Sequence, residues 1–174
     1  MNVPNKLTVL RMVLVPIFMV VYMIEAIPYH TAIAAAIFVF ASLTDWLDGY
    51  LARKNNLVTN FGKFMDPLAD KLLVTGALLC LMEQNIVAFW IVMIIIAREF
   101  IVSGLRLVAV TKGIVIAAGK LGKLKTVTQL VAITAAILSL PPVLVDILVY
   151  LCAFLTVWSG VDYLVKNRKV FLDI

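Results

Sequence analysis

Six apolar runs, each about twenty residues long and joined by short polar turns, constrain this chain more than any motif it carries. They lie near residues 7–25, 31–53, 62–82, 86–109, 119–139 and 143–165. At about 1.5 Å of rise per residue, a helix of that length crosses the roughly 30 Å of hydrocarbon in a bilayer. Charged residues make up 14% of the 174-residue chain, against the quarter or so usual in a soluble domain, and 64% is hydrophobic. The expected architecture is all-α: a polytopic membrane protein, a bundle of six transmembrane helices, forming one domain over residues 1–174 with no soluble module appended. The first apolar run lacks a small-residue cleavage site and reads as a retained span. Alanine-rich stretches at 32–36 and 132–136 offer small faces for close helix contact. Cys80 and Cys152 lie inside apolar runs without metal-ligand spacing and read as small buried residues.

The basic residues orient the bundle. Lys6 and Arg11 open the first span; Arg53, Lys54 and Lys63 lie between the second and third. Lys112, Lys120, Lys123 and Lys125 lie between the fourth and fifth, and Lys166, Arg168 and Lys169 follow the sixth. The other three turns, around Glu25, Glu83 and Asp146, carry no Lys or Arg. The positive-inside rule therefore predicts that both termini are cytoplasmic. A net charge of +5 gathered on one face suits anionic lipid head groups. It is not a nucleic-acid footprint, since no soluble basic domain exists to bear one.

Against this background the polar residues stand out. Asp45 and Asp48 are three apart, and Asp66 and Asp70 four apart, so each pair shares a helix face. The polar segment from Lys54 to Asn60 is a turn that would bring the two pairs together at the mouth of a helical hairpin. A single aspartate near a helix end is usually solvated. Four in the apolar region would cost on the order of 10 kcal/mol without compensation, and crowding would raise their pKa values as well. One or two divalent cations remove both penalties, and oxygen-only ligands favour Mg²⁺, Mn²⁺ or Ca²⁺. The predicted topology puts this acidic cluster within about two turns of the cytoplasmic boundary, where lipid phosphates sit. A transporter usually holds its ion near the midplane, which argues against a divalent-cation transporter.

Gly49 and Gly62 bracket the hairpin, either as helix-end glycines or as places where a ligand approaches backbone. Arg53 is an interfacial anchor or a clamp on a bridging phosphate. A second polar cluster occupies the fourth span: Arg98, Glu99, Ser103 and Arg106. Arginine within a span marks a pocket or an ion pair. Arg98, Arg106 and Lys123 are the expected pocket for a second, anionic substrate. Asn5, Thr8 and Arg11 recur at helical spacing and either anchor the first helix or contact a polar ligand head.

The pattern Asp45-x2-Asp48-Gly49-x2-Ala52-Arg53-x8-Gly62-x3-Asp66-x3-Asp70 resembles the signature of the CDP-alcohol phosphatidyltransferase family at every defined position. Further segments resemble the branch of that family that uses glycerol 3-phosphate as acceptor. They are Pro4-Asn5-x-Leu7-Thr8-x2-Arg11, the run Gly62 to Lys71, Ala97-Arg98-Glu99-Phe100 with Ser103-Gly104-Leu105-Arg106, and Gly122-Lys123-Leu124-Lys125-Thr126. The resemblance implies transfer of a phosphatidyl group from CDP-diacylglycerol to glycerol 3-phosphate, releasing CMP. It implies two Mg²⁺ or Mn²⁺ ions on Asp45, Asp48, Asp66 and Asp70, with Asp70 also the base for the acceptor hydroxyl. It places Gly49, Ala52, Arg53 and Gly62, with Asn5 and Thr8, in the CDP-lipid pocket. A homodimer in a bacterial cytoplasmic (inner) membrane, with its active site facing the cytosol, is implied too. Within the family, serine, inositol phosphate or phosphatidylglycerol are alternative acceptors, although a neutral or zwitterionic one would have little use for three cations.

Overall fold

The structure is a computed structural model. It describes residues 3–54, 60–111, 113–114, 116 and 119–168, with side chains for 5–44, 65–110, 113–114, 116 and 119–168. Among the described residues six helices follow one another: α1 (Val3–Met23), α2 (His30–Lys54), α3 (Asn60–Glu83), α4 (Phe89–Thr111), α5 (Lys120–Ile137) and α6 (Pro142–Lys166). No strand occurs among the described residues. Each helix falls on one of the six apolar runs. Among the described residues two stretches, Asn5–Met23 and Pro142–Lys166, are long and apolar enough to cross a membrane, and His30–Thr44 is a shorter apolar segment. The remaining helices are interrupted by the charges the sequence singled out, such as Arg98, Glu99 and Arg106 on α4.

Helix ends explain the short turns. α3, α4 and α5 stop in the same way, with Asn85 (φ 58°), Gly113 (φ 73°) and Ser139 (φ 53°) in the left-handed region. Behind each lies a paired closure: Ile86 N–H donates to the Leu81 carbonyl at 2.9 Å, Ile114 to Ala109 at 2.9 Å and Leu140 to Ala135 at 3.1 Å. These bonds satisfy carbonyls that the helix itself leaves without donors. The last turn falls at the gap expected between the fifth and sixth runs but not around Asp146. It occupies residues 138–141, and Asp146 lies inside α6, because Pro142 starts that helix from the N-cap Pro141. Proline's fixed φ and missing N–H suit the first helical position.

The chain divides into two compact units, Met1–Ile86 with Ala136–Ser139, and Val87–Ala135 with Leu140–Ile174. In the first, α1 packs against both α2 and α3, and α2 against α3. Its centre is the fully buried pair Phe18 and Phe38, ring centroids 5.9 Å apart, with Tyr22 stacked on Phe18 at 6.1 Å. Elsewhere small residues allow close approach. Gly76 of α3 lies so near α1 that a Cβ there would meet Val15 Cγ1 at 3.2 Å and Met19 Sδ at 3.3 Å. Ala34 and Ala35 are buried, as are Ala132, Ala135 and Ala136, so both alanine-rich stretches do present a small packed face. In the second unit α4 packs on α6, whose buried face runs Val145, Val149, Cys152, Ala153, Thr156, Ser159 and Tyr163.

The exposed surface is apolar to a degree a water-soluble protein would not tolerate. Val13, Val20, Phe40, Met93, Phe154, Trp158 and Val165 are all exposed. Large apolar side chains on the outside, with buried alanines where helices come close, suit a lipid solvent and suggest a membrane protein. Cys80 and Cys152 are buried free thiols, as expected.

Candidate active site

In the first unit the polar residues concentrate at one end of the helices. Asp45, Asp48, Gly49, Ala52 and Arg53 fall on the last turns of α2, and Gly62 near the start of α3. Their side chains lie outside the described residues, and so does the convergence of four carboxylates expected from the sequence. No group of three or more His, Cys, Asp or Glu occurs among the described residues. Asp66 and Asp70 sit one turn apart on α3, both partly buried.

The structure joins Asp66 to α1. Thr8 Oγ1 donates a hydrogen bond to Asp66 Oδ1 across 58 residues of sequence. Asn5, Thr8 and Arg11 are all buried, Thr8 and Arg11 completely, on the one face that their spacing of three residues defines. Arg11 reaches the other helix, its Nε donating to the Ala41 carbonyl at 3.2 Å. That same carbonyl accepts the Thr44 hydroxyl at 2.7 Å. On α3, Lys71 Nζ donates to the Pro67 carbonyl at 3.0 Å.

The donor set suits hard cations. Asp66 and Asp70 supply carboxylate oxygens from adjacent turns, and the neutral hydroxyl on Asp66 orients its carboxylate without cancelling the charge.

In the second unit the cluster is cationic. Glu99 Oε1 is shared by two donors: Arg98 Nη1 at 3.3 Å and Lys125 Nζ of α5. Lys125 is 1% exposed, whereas Lys123, two residues earlier on the same helix, is exposed. Glycines admit the Arg98 side chain. A Cβ on Gly160 would lie 3.3 Å from Arg98 Cγ, and one on Gly122 3.5 Å from its Nη2. Arg106 lies with Cζ 5.7 Å from the centre of the Tyr163 ring, within cation–π range. The Nε atoms of Arg98 and Arg106 and the Tyr163 hydroxyl are buried without a hydrogen-bond partner among the described residues. Three cations and one carboxylate leave an excess of positive charge and of donors. An oxyanion would answer both.

The sequence singled out Arg98, Arg106 and Lys123. The structure puts the first two in one unit with Glu99 and leaves Lys123 on an exposed part of α5. Sequence reasoning did not distinguish Lys125 as the buried lysine, nor find Gly122, Gly160 and Tyr163 as its surroundings. Two lysines two positions apart on a helix point about 200° apart, so one must face away from whatever the other faces. Which one does is a matter of packing.

A family model described as CDP-alcohol phosphatidyltransferase matches residues 1–158. The chain belongs to that family. Its relatives match end to end. A CDP-diacylglycerol–glycerol-3-phosphate 3-phosphatidyltransferase of Bacillus subtilis is 48% identical, the match covering 95% of each chain. Proteins of the same name from Rickettsia bellii and Haemophilus influenzae are 37% and 38% identical, over 98% and 99% of this chain and 97% and 96% of theirs.

Proposed function

We propose that the protein is a transferase of phospholipid biosynthesis that moves the phosphatidyl group of CDP-diacylglycerol to sn-glycerol 3-phosphate, giving phosphatidylglycerophosphate and CMP. The observation that carries this reading is the end-to-end match to relatives bearing that name, one of them at 48% identity over 95% of both chains. The cationic cluster around Glu99 supports an acidic acceptor.

In this reading residues 1–174 form one family domain of six membrane spans with both termini cytoplasmic. The active site opens to the cytosol from a bacterial inner membrane, and the enzyme works as a homodimer. Asp45, Asp48, Asp66 and Asp70 would hold two Mg²⁺ or Mn²⁺ ions. Bound there, such ions neutralise diphosphate charge and polarise the attacked phosphorus. Gly49, Ala52, Arg53 and Gly62 receive the cytidine diphosphate moiety, with Asn5 and Thr8 beside them. Arg98 and Arg106 bind the phosphate of glycerol 3-phosphate, a dianion that matches forked guanidinium donors, while Lys123, exposed on α5, adds positive charge at the surface rather than a contact beside Lys125. Asp70 accepts the proton of the attacking hydroxyl as the new O–P bond forms and the bond to CMP breaks.

Purified protein in mixed micelles should release CMP from CDP-diacylglycerol only when glycerol 3-phosphate and Mg²⁺ or Mn²⁺ are both present. Equal turnover with serine, inositol phosphate or phosphatidylglycerol in its place would remove the acceptor assignment. Arg106→Ala should raise KM for glycerol 3-phosphate about tenfold or more, as expected for a lost charge-assisted contact worth roughly 1.5–3 kcal/mol. An unchanged KM would break the pocket.

A further inference from the structure

Helix α1 is apolar along most of its length, yet its first turns bury an asparagine, a threonine and an arginine on one face. Burying such groups in a lipid-solvated bundle is costly, so each must serve a partner. Two of those partners belong to the two helices that carry the acidic pairs. Arg11 grips the Ala41 carbonyl of α2, one helical turn before Asp45. Thr8 donates its hydroxyl to Asp66 of α3. No sequence motif ties residue 8 to residue 66; the contact exists only because α1 packs against both helices.

We infer that α1 is the positioning element of the acidic site, with Thr8 the positioning residue that fixes the Asp66 carboxylate for cation binding. The inference rests on the reading of Asp66 as a metal ligand. A carboxylate on a helix can turn about its side-chain torsions, and each orientation offers its oxygens in a different direction. A fully buried threonine cannot follow it, because branching at Cβ restricts its rotamer. The hydroxyl therefore selects one carboxylate orientation. Because it is neutral, it does so without competing for the charge that a divalent cation needs. Partners of this kind beyond the ligands themselves commonly change metal affinity 10–100-fold. Arg11 performs the corresponding task on the backbone of α2, so that both helices are referred to a single rigid neighbour.

The test uses the full-length protein in detergent, titrated with Mn²⁺ while free Mn²⁺ is read by electron paramagnetic resonance. Thr8→Val keeps the shape of the side chain and removes the donor; it should weaken Mn²⁺ binding about 10–100-fold. Thr8→Ser keeps the donor and should bind within about threefold of the parent. In EDTA, the unfolding midpoint of Thr8→Val should stay within about 8 °C of the parent, roughly the shift expected for one lost hydrogen bond to a charged group. Mn²⁺ binding by Thr8→Val at parental strength, failure of Thr8→Ser to restore it, or a larger fall of the midpoint in EDTA would each overturn the inference. Asp66→Asn separates the underlying reading from this one. If Asp66→Asn binds Mn²⁺ as the parent does, the metal-ligand reading fails. If it loses binding while Thr8→Val does not, the positioning role alone fails.

Discussion

The acidic end of α3 and the cationic cluster of α4–α5 solve the same problem in opposite ways. Both place ionised side chains within helices whose outer surfaces are apolar. Asp66 is given a neutral hydroxyl from Thr8, which fixes its direction and leaves its charge intact. Glu99 is given two cations, Arg98 and Lys125, which cancel its charge and leave an excess of the opposite sign. A carboxylate held by a hydroxyl is available to an incoming cation. One held between a lysine and an arginine is a structural counter-ion, and what remains available around it is guanidinium. The difference lies in the partner, since the two side chains carry the same functional group.

That contrast can be broken most sharply at Asp66. Asp66→Asn keeps an acceptor for Thr8 and removes the charge. CMP release should fall on the order of 10⁴-fold, about 5.5 kcal/mol of barrier, while thermal stability in EDTA changes by less than about 1 kcal/mol. Parental activity in that variant would mean the charge has no catalytic use.

Glu99 should behave in the reverse sense. Glu99→Met leaves the buried Lys125 without its counter-charge and should cost about 3–5 kcal/mol of stability, read from the unfolding midpoint in detergent. The double variant Glu99→Met with Lys125→Met should recover most of that loss, because removing a buried pair together is far less costly than breaking it. If the single and double variants unfold alike, the pair is not the reason for the burial.

A smaller effect is expected at Gly160. Its added Cβ would stand 3.3 Å from Arg98 Cγ, so Gly160→Ala should displace the guanidinium by a few tenths of an ångström. The cost should be about 1 kcal/mol, at the lower end of overpacking penalties, and KM for glycerol 3-phosphate should rise more than kcat falls. A fall in kcat alone would detach Arg98 from acceptor binding. Smallest of all is the pair Lys166–Asp162 at the end of α6, 2.8 Å apart with the lysine two-thirds exposed. Lys166→Ala should change stability by less than about 0.5 kcal/mol, and a larger loss would show that exposed pairs here behave as the buried one does.

Much of the fold was legible in the sequence because its signal is solvent-scale. Apolar runs of spanning length predicted the six helices of the described residues to within a few residues; only Asp146, expected in the last turn, lies inside α6, which Pro142 starts four residues earlier. The candidate site was legible in part. Spacing alone marks Asp66 and Asp70 as neighbours on one face, and the unusual chemistry of Arg98 and Glu99 within an apolar run marks a polar cluster. Spacing could not choose between Lys123 and Lys125, nor indicate that Gly122 and Gly160 give Arg98 its room.

The residue order by itself determined helix, apolar surface and the list of groups too polar to be there without a task, because those follow from local periodicity and the cost of burying charge. Only the tertiary structure decided which partner each group received. Thr8 meets Asp66, and Lys125 meets Glu99, through helices brought together at sequence separations of 58 and 26 residues. Whether a carboxylate is left charged or cancelled is set by that pairing, and no local pattern in the chain encodes it.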